Sequence, residues 1–428
     1  MSSIYYEAFV SGVPGVFNVR DRVEHGRKRK IIAHAFSPGA VHAFEGHMSE
    51  NLRRWVQQLD RIAQYPTPNH THAKMDMMPW CTYIAFDVIG DLAFGAPFGM
   101  VAKGRDECES QVHPDGPITI TTGAETLNRR GEVSSTLGLL PALRPFAKYL
   151  PDPFFSKGVK SVSNLQGIAK VAVARRLDLA QDHEKAPVKR RDILQMLVDA
   201  KDASGQPMSR EELLSEALTE LIAGSDTVSN TACAIFYWIL EGERKAPGTI
   251  IPRLRAELDA AIPADVDIAS FEQVKNLPFL RRCIDEAMRL HSTSAIGLPR
   301  IVTSPEGIAY EDNVYAAGTV LSVPSYTIHH DAKVWGDDVE QFKPDRWLKE
   351  NLTARQNLCF NPFSHGPRAC VGQNVARMEL SLIIGTAFHR YDFELYQQTL
   401  ESHEGFSKKP DECWLGIARR EPGAAHAD

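Results

Sequence analysis

The chain has 428 residues, of which 43% are hydrophobic and 24% are charged, an ordinary composition for a globular protein. Its net charge of -6 and its pI near 6.2 exclude a basic, nucleic-acid-binding field over the whole molecule. The seven cysteines are odd in number and form no CxxC pair, which favours free thiols over a disulfide framework or a zinc site. No signal peptide is predicted, because residues 1–20 lack a basic start and Gly12, Pro14 and Gly15 interrupt their apolar residues.

Helical periodicity dominates the chain. Helices are predicted over 41–64, 80–94, 157–179, 193–203, 213–240, 253–261, 277–291 and 374–390. Strand patterns are few and late, at 301–302, 314–315 and 319–325. Charge, Pro and Gly predict exposed loops at 104–116 and 181–190, a loop insertion at 241–252 and a frayed end at 421–428. Together these patterns predict one mainly α domain with a small β-sheet over residues 1–428.

The longest apolar segment, 218–240, is long enough to span a membrane. Gly224, Ser225, Asp226 and Asn230 lie within it, and polar side chains are costly in lipid. We therefore interpret the segment as a long buried helix with a functional polar break.

One cysteine lies in an unusual loop, FSHGPRACVG, at residues 363–372. An apolar helical run follows Cys370, so backbone N–H groups and the helix dipole can stabilise a thiolate there. Arg368 can bind an anionic group beside it, Gly366 permits a tight turn, and Gly372 lets the backbone approach a flat cofactor. A thiolate beside a carboxylate-binding arginine suits a haem iron and its propionates. For an isolated cysteine, the alternative would be a buried structural thiol.

Three further patterns carry chemistry, each with a plainer alternative. Glu286 and Arg289 lie on one helical face, as a surface ion pair also would. Residues 223–227, AGSDT, interrupt the long helix, where a kink with a solvated aspartate is the alternative. His25 and Arg29 are four residues apart on a helix, which a basic solvated face would also explain.

The loop at 363–372 resembles the cysteine-ligand loop of cytochrome P-450, the haem-thiolate monooxygenase superfamily. The resemblance runs from about Tyr5 to Arg419 and implies the P-450 fold with haem b held by the Cys370 thiolate. It assigns Phe363, Arg368 and Gly372 to haem binding, and His25, Arg29 and Arg300 to the propionates. It gives residues 223–227 the oxygen-activation role, with Gly224 opening a groove for O2 and Asp226 and Thr227 delivering protons. It makes Glu286, Arg289 and Arg346 a structural triad behind the cysteine loop, and we treat His329 and His330 as structural.

Two residues depart from the family pattern. Asp345 stands where glutamate is commoner, and Ser292 stands where many relatives have proline. Full-length microsomal members carry an N-terminal anchor and first strands before the point at which this chain starts. We therefore expect a P-450 fold without that anchor and those strands, and an unpaired strand edge could follow.

Residues 86–100, 127–150 and 289–300 resemble fungal benzoate para-hydroxylases. This resemblance implies a monomeric monooxygenase that hydroxylates a small aromatic acid with electrons from NADPH through NADPH–cytochrome P-450 reductase. Full-length relatives lie on the cytosolic face of the endoplasmic reticulum membrane, whereas this chain, without an anchor, is expected to be soluble or peripherally attached. The alternatives are a reductase-independent peroxygenase or isomerase and a truncated, catalytically impaired haem-binding protein. No arginine can be assigned from the sequence as the clamp for the substrate carboxylate.

Overall fold

Helices form most of the chain in the computed structural model, which describes residues 2–68, 70–113, 115–181 and 192–420, without the side chains of 177–181. The helices are α1 Arg22–Ala33, α2 Pro38–His42, α3 Glu45–Ala63, α4 Met77–Phe94, α5 Met100–Lys103, α6 Gly123–Leu139, α7 Pro153–Gln181, α8 Ile193–Asp199, α9 Arg210–Lys245, α10 Ile251–Ala261, α11 Phe271–Val274, α12 Pro278–Leu290, α13 Ser325–His329, α14 Ala332–Trp335, α15 Ala354–Cys359 and α16 Gln373–Arg390. Short 3-10 helices cover Ile4–Phe9, Pro141–Tyr149, Pro344–Trp347 and Gly366–Arg368.

The strands are short and pair only antiparallel in the ranges described. They are β1 Ala73–Asp76, β2 Cys108–Ser110, β3 Thr119–Thr121, β4 Arg300–Ile301, β5 Ile308–Tyr310, β6 Asn313–Tyr315, β7 Val320–Leu321, β8 Tyr391–Leu395, β9 Ser402–Glu404, β10 Lys408–Pro410 and β11 Trp414–Arg419. One sheet has the order β1-β11-β8, and the pairs β2-β3, β4-β7, β5-β6 and β9-β10 are two-stranded. This confirms a mainly α fold with little sheet.

The 36-residue helix α9 crosses the hydrophobic core and packs closely on α4. A capping box between Ser209 and Glu212 begins it, which satisfies backbone N–H groups that the helix leaves free. The predicted long buried helix is confirmed, and α9 is continuous through the polar residues 223–227. The hydroxyls of Ser225 and Thr227 bond to carbonyls one turn back, and Asn230 donates to Asp226 at 3.2 Å, so these side chains have hydrogen-bond partners within the helix.

Several predicted boundaries are corrected by the structure. Residues 319–325 form only the two-residue strand β7 before α13 begins, and the predicted loop at 104–116 contains β2. The predicted insertion at 241–252 is the end of α9, a short turn and the start of α10. The Glu243 carboxylate accepts hydrogen bonds from the N–H groups of Gly248, Ile250 and Ile251, so this polar stretch caps a helix. The predictions for 182–190 and 421–428 lie outside the described residues.

The long apolar segment belongs to this packed core. Among the helices of the described ranges, none is both long and apolar enough to cross a membrane.

A buried carboxyl in the core provides a test of stability. Glu379 of α16 is 4% exposed, its Oε1 has no hydrogen-bond partner in the described chain, and burial raises its pKa well above the ordinary 4.5. The folded protein therefore keeps this carboxyl protonated at a pH where the unfolded chain ionises it. That difference destabilises the fold increasingly as the pH rises above 4.5 and disappears below it.

Glu379→Gln should therefore raise the free energy of unfolding at pH 7 by about 1–3 kcal/mol, with a smaller gain near pH 4. Urea unfolding at several pH values measures this. The exposed Glu350→Gln is the control and should change little. A gain that does not depend on pH would contradict the assignment of a raised pKa.

Candidate active site

The loop before α16 holds Cys370 in a defined turn. Gly366 adopts a φ of 76°, in the left-handed region that favours glycine, and the Cys370 N–H donates to the Phe363 carbonyl at 2.8 Å. Gly372 is the N-cap of α16, and its N–H donates to the Cys370 sulfur. The Arg377 guanidinium lies 4.9 Å from the centre of the Phe363 ring. The loop therefore presents one thiol at the start of a helix.

Cys370 is an exposed residue although protein lies around its thiol, and we interpret this combination as a thiol that faces an internal cleft. Burial raises its pKa, and the Gly372 N–H and the Arg29 charge oppose that effect only in part. Glu220 of α9 also acts electrostatically on the thiol, so α9 lies near the cysteine loop. Ala223, one turn further along α9, is exposed.

Three arginines converge on His25 beside this cleft. Arg368, Arg29 and Arg300 are close enough that, after burial, their charges help lower the pKa of His25 to about 4. The Arg29 side chain donates to the Ala369 carbonyl at 2.6 Å, next to Cys370, and Arg300 donates to the hydroxyl of Tyr6.

None of the three arginines forms an ion pair with a carboxylate in the described chain; Arg368 instead donates to the Val19 carbonyl at 2.7 Å. A partly buried cluster of cations without acids is suited to an anion with several carboxylate oxygens. The two propionates of a haem fit this cluster, and the accessible thiol fits its iron.

The predicted triad is assembled in the structure. Arg289 donates to both carboxylate oxygens of Glu286, at 3.0 and 2.9 Å, and Arg346 donates to Glu286 at 3.2 Å. Glu286 and Arg289 are completely buried, and Trp347 donates its indole N–H to Glu286 at 2.9 Å. The buried charges are therefore compensated within the group.

His329 connects this triad to the cysteine loop. Its carbonyl accepts a hydrogen bond from Arg289 at 2.8 Å, and its Nε2 accepts one from the Asn361 N–H at 3.1 Å. Its Nδ1 is 2.6 Å from the hydroxyl of Ser292, and burial lowers its pKa to about 3. Ser292, the departure from proline, thus orients a neutral histidine that supports the loop.

The other departure, Asp345, takes part in two ion pairs at the surface. It accepts hydrogen bonds from Arg253 and Arg282, each at 2.8 Å. The neighbouring Arg346, unlike Asp345, donates to Glu286 of the buried triad.

The predicted role of Gly224 is corrected by the packing. A Cβ at this position would lie 2.7 Å from two side-chain carbons of Ile89 on α4. The missing side chain therefore allows α9 to approach α4, and it does not open a groove for O2.

Asp226 and Thr227 are half-buried neighbours on α9. Thr227 donates its hydroxyl to the Ala223 carbonyl at 2.7 Å, so the hydroxyl oxygen can still accept a hydrogen bond. Asp226 lines a cavity of about 20 Å³ between α6 and the β9-β10 hairpin, together with Glu132, His403 and Lys409. A cavity of this size holds one water molecule.

The sequence analysis did not predict that Tyr6 contacts Arg300 or that His329 connects the triad to the cysteine loop. It also did not predict which residues lie around Asp226. Tyr6 contacts Arg300 from 294 positions away, and Lys409 is near Asp226 only through the hairpin. No local pattern marks contacts between residues so distant in sequence.

Comparison with known proteins agrees with this geometry. The sequence profile of the cytochrome P-450 family matches residues 4–413. The benzoate 4-monooxygenase of Aspergillus niger is 49% identical over 430 residues, which cover 99% of this chain and 81% of that protein. A cytochrome P-450 monooxygenase of Gibberella zeae is 28% identical over 392 residues, covering 91% of this chain and 83% of the relative. One from Penicillium oxalicum is 26% identical over 389 residues, covering 91% and 70%. The chain therefore belongs to the cytochrome P-450 family and is a monooxygenase.

Proposed function

We propose that this cytochrome P-450 hydroxylates benzoate, or a closely related aromatic acid, para to its carboxylate. The observation that carries the proposal is the 49% identity to a benzoate 4-monooxygenase over 99% of the chain. A cluster of aromatic side chains beside Arg300 supports it. This aromatic cluster consists of Tyr5, Tyr6, Phe9, Phe17 and Phe406, with Ala8 and Leu298 packed beside the rings. Packed rings of this kind make favourable contacts with a further flat apolar ring.

The family implies a haem with an axial thiolate, which the described residues fit. Cys370 would supply the thiolate, with Phe363 and Gly372 shaping its loop, and His25, Arg29, Arg300 and Arg368 would hold the propionates. When bound, the haem supplies the binding and reductive activation of O2.

Proton delivery falls to α9 in this proposal. Asp226 faces a cavity that can hold water, and it is covalently next to Thr227. Asp226 takes a proton from that cavity, and the Thr227 hydroxyl holds one at the cleft. Lys409 lies near Asp226 and lines the same cavity.

Thr227→Ala should therefore reduce the product formed per NADPH by about tenfold or more, because a positioned proton donor contributes roughly 10²–10⁴-fold. NADPH consumption should continue and peroxide should appear. Ser225→Ala is the matched control, since Ser225 is fully buried and its hydroxyl makes the same bond to a carbonyl one turn back, at 2.5 Å. Unchanged coupling in Thr227→Ala would remove this role.

The function is tested by incubating the haem-loaded protein with benzoate, NADPH, O2 and NADPH–cytochrome P-450 reductase. We expect 4-hydroxybenzoate, with one oxygen atom from ¹⁸O2, and no product when the reductase is omitted. Peroxide in place of NADPH and reductase distinguishes a peroxygenase. Conversion of neutral aromatics alone, or hydroxylation at another position, would refute benzoate para-hydroxylation.

We also propose that the protein acts as a monomer and is soluble or peripherally attached to the cytosolic face of the endoplasmic reticulum membrane. Fractionation of cells expressing the tagged chain tests the location. Recovery of active protein only after detergent extraction would contradict it.

A further inference from the structure

Arg130 of α6 is a buried guanidinium without a counter-ion. It is 4% exposed, and its Nη2 donates to the Phe9 carbonyl at 2.9 Å and to the Ser11 hydroxyl at 3.4 Å. Its Nε is enclosed but has no acceptor in the described chain. Burial alone lowers its pKa to about 10, so it stays charged at neutral pH, and no nearby carboxylate opposes that effect.

This position differs from every other buried arginine of the described ranges. Those four arginines each form an ion pair with a carboxylate. They are Arg255 with Asp392, Arg289 with Glu286, Arg346 with Glu286, and Arg390 with Asp60. Because buried charges are normally paired, the guanidinium of Arg130 has unused capacity for an anion.

Arg130 also borders the aromatic cluster through the Phe9 carbonyl, and its helix α6 borders the cavity at Asp226. Its partner Phe9 packs on Phe406, with ring centres 4.9 Å apart. On α6, Leu127 and Gly131, the residue that follows Arg130, line the Asp226 cavity together with Phe406. The unpaired cation therefore lies next to apolar rings, on the helix whose neighbouring residues line the cavity at Asp226.

We propose that Arg130 binds the carboxylate of an anionic aromatic substrate and so orients its ring in the aromatic cluster. This inference rests on the proposed function and names the residue that selects an acid. A carboxylate held at one end of the ring directs the opposite, para carbon away from Arg130. Arginine suits this task because its planar group binds both carboxylate oxygens.

Lys409 is the competing cation in the same region. The carboxylates of Asp226, Asp106 and Asp411 lie near enough to act on its charge, whereas no carboxylate acts on the charge of Arg130. Its replacement therefore serves as the competing variant in the test.

The experiment is a spin-state titration of the haem-loaded full chain with benzoate and with neutral benzamide and benzyl alcohol. Arg130→Met should weaken benzoate binding about 30-fold or more, the size expected for truncating one partner of a buried charge pair. Affinity for the neutral ligands should change less than about threefold, and Arg130→Lys should restore part of the benzoate affinity. Arg129→Met, the adjacent partly exposed arginine paired with Glu132 at 2.8 Å, should behave like wild type.

The outcomes separate this inference from the proposed function. If the wild type binds a different aromatic acid in preference to benzoate, the proposed substrate is wrong, and the same comparison with that acid still tests Arg130. Three results would overturn the role of Arg130. Arg130→Met could lose affinity for the acid and the neutral ligands equally. Only Lys409→Met could lose affinity for the acid selectively, or the wild type could bind the acid and the neutral ligands equally well. If Arg130→Met does not retain haem, Arg130→Lys and Arg130→Gln are compared by the acid-to-neutral affinity ratio, which folding alone does not change.

Discussion

Cys370→Ala should abolish turnover and the reduced-CO difference band characteristic of thiolate ligation. The thiol opens onto the cleft beside the unpaired arginines, and no backbone contact of the loop needs its sulfur except the Gly372 N–H. The loop should therefore keep its turn, which depends on the Cys370 N–H bond to Phe363. Reduced-CO spectra and haem content, measured on the same purified sample, check this.

Cys359→Ala is the matched control, because Cys359 is a half-buried free thiol on α15, outside the loop. It should keep the spectrum and the activity of the wild type. A normal thiolate band in Cys370→Ala, or its loss in Cys359→Ala, would contradict the assignment of the ligand.

The second large effect is expected for Arg289→Ala. This change leaves the completely buried Glu286 with Arg346 as its remaining charged partner and removes the hydrogen bond to the His329 carbonyl. Breaking a buried ion pair by removing one partner costs about 3–5 kcal/mol. Because His329 also holds Asn361 at the start of the cysteine loop, we expect low haem content as well as lower stability.

Thermal unfolding and haem content measure this effect. Arg253→Ala is the control, since its ion pair with Asp345 is 43% and 44% exposed and should contribute at most about 1 kcal/mol. If the two variants were equally stable and equally loaded with haem, the triad would not support the site.

Tertiary context decides what the departures from the family pattern do. Ser292 could be read from the sequence only as a missing proline, yet its hydroxyl lies 2.6 Å from His329 Nδ1. Asp345 could be read only as a shortened glutamate, and the structure places it in surface ion pairs away from the triad.

The elements that sequence reasoning missed are stabilised by contacts with distant parts of the chain, and their own sequences carry a weak pattern. Helix α6 carries Gly131, Gly138 and several serines, which weaken a helical pattern, and packing against α7 and the N-terminal 3-10 helix compensates for this. The strands β8 and β11 bring residues 391–395 and 414–419 together, and such pairing leaves little local pattern in strands this short.

The sequence by itself determined the family, the candidate ligand Cys370 and the members of the triad, because these are short motifs whose residue types and order carry the chemistry. Only the tertiary structure decided that Gly224 serves helix packing, that Tyr6 and His329 support the site, and that Arg130 is a buried cation without a carboxylate partner among the described residues. The 48 lysines and arginines of the chain look alike in sequence. Burial and the presence of a nearby carboxylate distinguish them, and both depend on segments that folding brings together from distant parts of the chain.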